Sequence, residues 1–208
     1  EKGYGSMKPI TVIQALKNTV EKHGNCKAMA SQTKVDGELT PWKFWTWTDY
    51  YNDCMSFAKS LVFLKVDKFK IINILGFNAP AWLLASNGAV LAGCIGAGIY
   101  MTNNAEACHY ISEHSKAEVV VLEGNVQLKK YAGISKDKLP HLKAIVVYGE
   151  AADPALIAKC NTPVYSFDDF LKLGADIADS VVEERANSIN PGHCASLIYT
   201  SGTTGPPK

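Results

Sequence analysis

The sequence predicts an α/β protein, a mostly parallel sheet with helices covering its faces. Two observations carry this expectation. From Ile71 to Tyr165, short apolar runs of strand length alternate with segments of helical periodicity. The 35 residues between Lys70 and Glu106 also contain no charge and no histidine, as expected of a strand–helix–strand unit buried on both sides. A membrane-spanning helix needs about 20 apolar residues, so the run also invites a membrane reading. Five asparagines, Pro80 and five glycines interrupt it, which favours the buried α/β reading.

Taken in order, residues 7–23 place Ile13, Leu16 and Val20 at helical spacing, with Thr11 or Pro9 near the start. MASQ and WKFWTWT read as two strands around a polar turn at Val35–Thr40, with Thr48 as the N-cap of the next helix. From Asp49 to Leu64, Tyr50, Cys54, Phe57, Leu61 and Leu64 form a helical stripe. Strands are then expected at Ile71–Leu75, Cys94–Tyr100, Val119–Leu122, Ala144–Tyr148 and Pro163–Tyr165. Helices are expected at Ala81–Ala92 behind Pro80, at Glu106–Ser115 and at Ser166–Gly174. Gly174–Arg185 is polar and acidic and reads as a surface linker; Ala195–Tyr199 reads as a buried strand.

Composition excludes several classes. With 47% apolar and 20% charged residues, the chain resembles soluble globular proteins. A net charge of +1, with only short lysine clusters at Lys129-Lys130 and Lys136–Lys138, gives no face for nucleic acid. Six cysteines without a CxxC pair, in a chain without an N-x-Ser/Thr sequon, point to a reducing, cytosol-facing compartment. His109 and His114 near Cys108 fit no zinc-ligand spacing. Trp42, Trp45 and Trp47 could stack on an adenine, but alternating aromatics in a strand more often fill a core. Asp49, Asp53 and Asp67 form no carboxylate pair, and Cys54 and Cys108 lack a histidine partner motif.

Chemistry concentrates after Tyr199, in Thr200-Ser201-Gly202-Thr203-Thr204-Gly205-Pro206-Pro207-Lys208. Glycines let backbone N–H groups close on an anion, hydroxyls donate further hydrogen bonds, and a lysine adds charge. A Walker A loop is excluded, because the two glycines are three residues apart and two prolines precede the lysine. A plain Ser/Thr/Gly-rich turn is the bland alternative.

YTSGTTGPPK resembles the signature phosphate loop of the adenylate-forming (AMP-binding) superfamily, which includes acyl-CoA synthetases, peptide-synthetase adenylation domains and luciferases. Residues 74–82 (ILGFNAPAW), 98–104 (GIYMTNN) and 139–145 (LPHLKAI) are similar to long-chain acyl-CoA synthetases of the bubblegum type. The likeness is good over about residues 40–208 and looser before that. It implies an incomplete N-terminal AMP-binding domain over 1–208. Within it fall an N-terminal helix and first strand region (1–40), an α/β subdomain (41–173), a linker (174–194), and a strand with the start of the phosphate loop (195–208).

The implied reaction is activation of a fatty acid by Mg2+-ATP to an acyl-adenylate, then transfer to coenzyme A. Carried over by position, Thr200, Ser201, Thr203 and Thr204 donate hydroxyls to the ATP phosphates, Gly202 and Gly205 allow close backbone approach, and Lys208 adds charge. The family's adenine, ribose, magnesium and tunnel residues and its mobile domain lie downstream of this loop. The segment alone is therefore expected to be inactive, with no catalytic residue and no metal ligand of its own. The implied partners are small molecules, not nucleic acid, and a lipid-like substrate makes peripheral contact with a membrane, such as the cytosolic face of the endoplasmic reticulum, an open expectation. Adenylation of another carboxylic acid, and a scaffold that keeps the fold without the chemistry, are the alternatives.

Overall fold

The computed structural model of the protein describes residues 5–35 and 37–200. The chain opens with helix α1 (Val12–His23), whose first turn is closed by Thr11 accepting the Gln14 N–H at 3.0 Å. Strand β1 (Lys27–Ser31) then pairs antiparallel with β4 (Lys43–Thr46), around a short hairpin of β2 (Lys34–Val35) and β3 (Glu38–Leu39).

Helix α2 (Trp47–Phe63) starts two residues earlier than the Thr48 cap expected from sequence. Thr46 caps it: its hydroxyl accepts the Asp49 N–H at 3.1 Å while the Asp49 carboxylate accepts the Thr46 N–H at 3.0 Å. This reciprocal capping box needs an acid three residues on, which Thr46 has. The Thr48 N–H instead donates to Gly24 O. Trp47 therefore opens a helix rather than ending a strand.

The main body is a six-stranded parallel sheet: β5 (Ile71–Leu75), β6 (Ile95–Ile99), β7 (Ala117–Glu123), β8 (Ala144–Tyr148), β9 (Val164–Ser166) and β10 (Ser196–Ile198), in spatial order β10-β6-β5-β7-β8-β9. All five residues of β5 and of β8 are buried, which is why these strands read as continuous apolar runs. Helix α3 (Pro80–Leu91) links β5 to β6, and α4 (Ala105–His114) links β6 to β7. Asn104 caps α4 by accepting the Ala107 N–H at 2.9 Å. The 35-residue uncharged run is thus strand, helix and strand. Among the described residues no helix is long and apolar enough to cross a membrane.

Side chains alternate between two cores. Ile72 and Ile74 of β5 join Val119, Val121, Ala144 and Val146 under α1, α2 and α3. Ile71 and Leu75 face the other way, with Val120, Leu122, Ile145 and Val147 under α4 and α5 (Gly124–Tyr131). The tryptophans divide. Trp45 is in the core, with its indole N–H donating to Asp53 at 3.0 Å; Trp47 is half-buried and Trp42 is exposed.

Three helices go beyond the periodicity reading. Helix α5 is mostly polar, but buries Leu128 and Tyr131; α6 (Pro154–Ile157) is a single turn capped by Asp153. The third lies in Gly174–Arg185, where composition predicts a polar linker. Beyond α7 (Phe167–Lys172), the structure forms α8 (Asp179–Asn187), which buries Val182 and Ala186 against α2 and α3 and forms a Lys59–Asp179 ion pair. Two apolar residues at helical spacing suffice when the remaining face is solvated.

Candidate active site

In an open parallel sheet, ligands bind beyond the carboxyl ends of the strands, most often where the strand order reverses. That reversal falls between β5 and β7, since β5 leads through α3 to one side and β6 leads through α4 to the other. Protein atoms join the two loops here. The Glu123 carboxylate accepts the Phe77 N–H at 2.6 Å, and the Tyr148 hydroxyl donates to Phe77 O at 3.4 Å. Burial raises the Tyr148 pKa, so the phenol stays neutral. Beside them, Glu150 accepts the Asn125 N–H at 2.7 Å, and Asn125 in turn accepts the Asp153 N–H at 2.7 Å.

The hydroxyl- and glycine-rich segment follows β10 in the sequence, and only its first residue, Thr200, is among the described residues. Its approach is well tied. His193 N–H donates to Asn190 O at 2.9 Å, the His193 ring meets Phe69 edge-on at 5.1 Å, and Gly96 N–H donates to Ala195 O at 3.2 Å. β10 then runs parallel to β6 in the register Ser196↔Gly96, Leu197↔Ala97, Ile198↔Gly98. A Cβ on Gly96 or Gly98 would meet Ser86 at 3.4 Å or Trp82 at 3.6 Å, ordinary contact distances that place α3 over β6.

Against expectation, β10 is not a buried strand. It is the edge of the sheet among the described residues, and all three of its residues are exposed, Ile198 at 74%. One neighbour strand, with helices centred over the inner strands, leaves its side chains uncovered. Tyr199, the next residue, is buried instead, and its hydroxyl meets His114 Nδ1 at 2.9 Å.

Of the expected phosphate ligands, Thr200 is exposed at the end of this strand. Ser201, Gly202, Thr203, Thr204, Gly205 and Lys208 lie outside the described residues. The histidines near Cys108 are held by protein groups: the His109 ring is bonded to Lys130 O, and His114 to Tyr199. Among the described residues no group of three or more His, Cys, Asp or Glu could hold a metal ion.

The family model described as AMP-binding enzyme matches residues 16–208. The chain belongs to the AMP-binding enzyme family. Within that family it is 42% identical over 208 residues to the long-chain-fatty-acid–CoA ligase ACSBG2 of Gallus gallus, covering 100% of this chain and 26% of that protein. It is 39% identical over 206 residues to the Homo sapiens ACSBG2, covering 99% of this chain and 29% of the other. The chain thus spans about a quarter of the length of these curated relatives. For the fold, the adenylation domain of a carboxylate reductase from Mycobacterium chelonae superposes with a TM-score of 0.73 at 15% identity, over 96% of this chain and 34% of that one.

The loop motif is a sequence signal that the described residues reach only at Thr200. The Tyr199–His114 contact, across 85 positions of chain, had no such signal.

Proposed function

We propose that the protein carrying this chain is a fatty acid–CoA ligase that works through an acyl-adenylate. The observation that carries this reading is the 42% identity, over all 208 residues, to a long-chain-fatty-acid–CoA ligase. In the first step a carboxylate oxygen of the fatty acid attacks the α-phosphorus of ATP. A P–O bond to the β-phosphate breaks and pyrophosphate leaves. In the second step the thiol sulfur of coenzyme A attacks the acyl carbonyl, AMP leaves, and the thiol proton is lost to the surroundings.

This chain's part is to hold phosphate. Thr200, Ser201, Thr203 and Thr204 supply hydroxyl donors, Gly202 and Gly205 permit backbone N–H groups to approach, and Lys208 places a cation beside the departing charge. Such groups stabilise charge as it develops and fix the reacting geometry, with no covalent step of their own. Mg2+, when bound with ATP, would neutralise phosphate charge; no residue of this chain is assigned to it. We assign the protein to a cytosol-facing compartment, on the ground of six cysteines without a CxxC pair and a chain without an N-x-Ser/Thr sequon.

Acid-dependent ATP–pyrophosphate exchange tests the reading, on the full-length natural protein with palmitate, a short-chain acid and an amino acid in parallel. Exchange with palmitate and not with the others is the expected result. Exchange driven by the amino acid alone would assign a different substrate class. No exchange with any acid, from a folded protein that binds no ATP, would overturn the enzyme reading.

A further inference from the structure

We propose that the amino-terminal end of the parallel sheet is a docking surface for an anionic lipid bilayer, with Lys65 and Lys116 among its contacts. This goes beyond the proposed function and takes from it only a substrate that dissolves in bilayers.

In a parallel sheet the connections that lead from a helix into a strand fall at one end, and those from a strand into a helix at the other. The charges divide the same way. The connections into strands (64–70, 92–94, 115–116, 132–143, 158–163 and 188–195) hold eight lysines against two acids, Asp67 and Asp137. The connections out of strands (76–79, 100–104 and 149–153) hold no lysine or arginine and carry Glu150 and Asp153. A net charge of +1 for the whole chain hides this polarity. Part of the excess answers negative charge already present. Glu118 is paired with Lys143 at 2.7 Å and with Lys70 at 3.7 Å. Helices α2, α3, α4, α5 and α8 also end there, and each C-terminus carries about half a negative charge. Together these do not offset the lysine excess, and the end stays cationic.

Backbone geometry singles out the same end. Among the described residues three that are not glycine have a positive φ: Lys65 (54°), Phe69 (65°) and Lys116 (54°). All three lie in these connections. That conformation favours glycine, and larger side chains adopt it at a cost. Lys65 and Lys116 stand one residue beyond the C-caps Leu64 and Ser115, where helices commonly place glycine. Lysine stands where the backbone favours glycine, and both side chains are exposed. Phe63 and Phe69 flank Lys65 in the chain and are 52% and 44% exposed. Lysines interspersed with exposed aromatic rings suit a headgroup layer, where ammonium groups meet phosphates and rings enter the interface. Nucleic acid is less well served, because these connections contain no arginine to fork onto phosphates or bases.

The test uses the full-length natural protein and sedimentation with vesicles, either of phosphatidylcholine alone or with about a third phosphatidylserine. Binding to the anionic vesicles only, released by about 0.5 M salt, is the expected result. Each lysine at such a surface is worth about fivefold in partitioning, so Lys65→Gly/Lys116→Gly should bind about 10- to 30-fold more weakly. Its Tm should equal or exceed that of the wild type, because glycine suits both positions. Lys65→Gln/Lys116→Gln should show the same loss of binding. The control Lys22→Gln/Lys34→Gln, which removes two exposed lysines elsewhere on the fold, should stay within about twofold of wild type. Equal loss in the control, a fall in Tm for the glycine variant, or binding that ignores lipid charge would each overturn the proposal. So would tighter binding to RNA than to anionic vesicles. An amine-acylating reagent should label Lys65 and Lys116 in the lipid-free protein. Protection of both would show that the rest of the protein covers this end, which overturns the proposal too. Vesicle binding by a protein with no acid-dependent exchange would instead leave this surface standing and count against the ligase reading.

Discussion

The Glu123 carboxylate, at the end of β7, accepts the backbone N–H of Phe77, just beyond β5, at 2.6 Å. It joins the loops on the two sides of the sheet's reversal point, where many α/β proteins hold a ligand. Gly76 belongs to the same joint: a Cβ there would collide with the Tyr148 hydroxyl and come within 2.8 Å of Glu123 Cβ. Gly76→Ala is therefore expected to cost about 1–3 kcal/mol of stability by overpacking, read from urea unfolding. Adding Tyr148→Phe should recover part of that loss but not all, because Glu123 Cβ remains. No loss in Gly76→Ala would show that the joint is loose.

The start of α2 gives a second expectation. Thr46→Ala removes the cap and should cost about 1 kcal/mol, lowering Tm by about 2–4 °C. Hydrogen bonds from the Thr46 backbone and hydroxyl hold the Asp49 pKa below its ordinary value. A lowered folded pKa gives stability that is present above the ordinary carboxylate value and is lost as pH falls through the folded one. The stability gap between wild type and Asp49→Asn should thus be full at neutral pH and close below about pH 4. A gap that widened in acid would contradict the capping role.

Thiol reactivity should divide by burial. Cys26 and Cys194 are exposed, Cys160 is intermediate, and Cys54, Cys94 and Cys108 are buried. Burial pushes the Cys94 thiol up to about 12 and raises Cys54 and Cys108 as well. A thiol-specific disulfide reagent at pH 8 should label Cys26 and Cys194 quickly, Cys160 slowly, and the other three only on unfolding. Rapid labelling of Cys94 in the folded chain would contradict the packing of β6 against its neighbours.

In the full-length natural protein, Lys208→Ala should lower acid-dependent exchange about 10²-fold, as loss of one charge-stabilising donor does elsewhere. Its unfolding curve should match that of the wild type. An unchanged exchange rate would remove Lys208 from the phosphate site.

The parts of the fold that could be read from sequence were those with strong local signals. Ile71–Leu75 and Ala144–Tyr148 are continuous apolar runs, and every one of their residues is buried. The stripe of Tyr50, Cys54, Phe57 and Leu61 lies on the buried side of α2. Helices α5 and α8 were less legible because their polar sides outweigh the few residues they bury, Leu128 and Tyr131 in one, Val182 and Ala186 in the other. Ser196–Ile198 was legible as a strand but not as an edge, since exposure depends on which strand pairs with β6. The residues after Tyr199 stand out in the sequence by their glycine and hydroxyl spacing, which leaves a plain turn open; the phosphate-loop reading came from the resemblance to the AMP-binding superfamily. The Tyr199–His114 contact had no such signal, because it joins the end of α4 to the residue after β10, 85 positions away.

The most direct test of the adenylation chemistry is the identity of the products. The full-length natural protein would be incubated with ATP, Mg2+, palmitate and no coenzyme A, and followed by 31P NMR and mass spectrometry. Pyrophosphate and palmitoyl-AMP in equal amounts, with later coenzyme A converting the adenylate to AMP and palmitoyl-CoA, is the expected result. ADP and orthophosphate, or acid-independent hydrolysis, would contradict it.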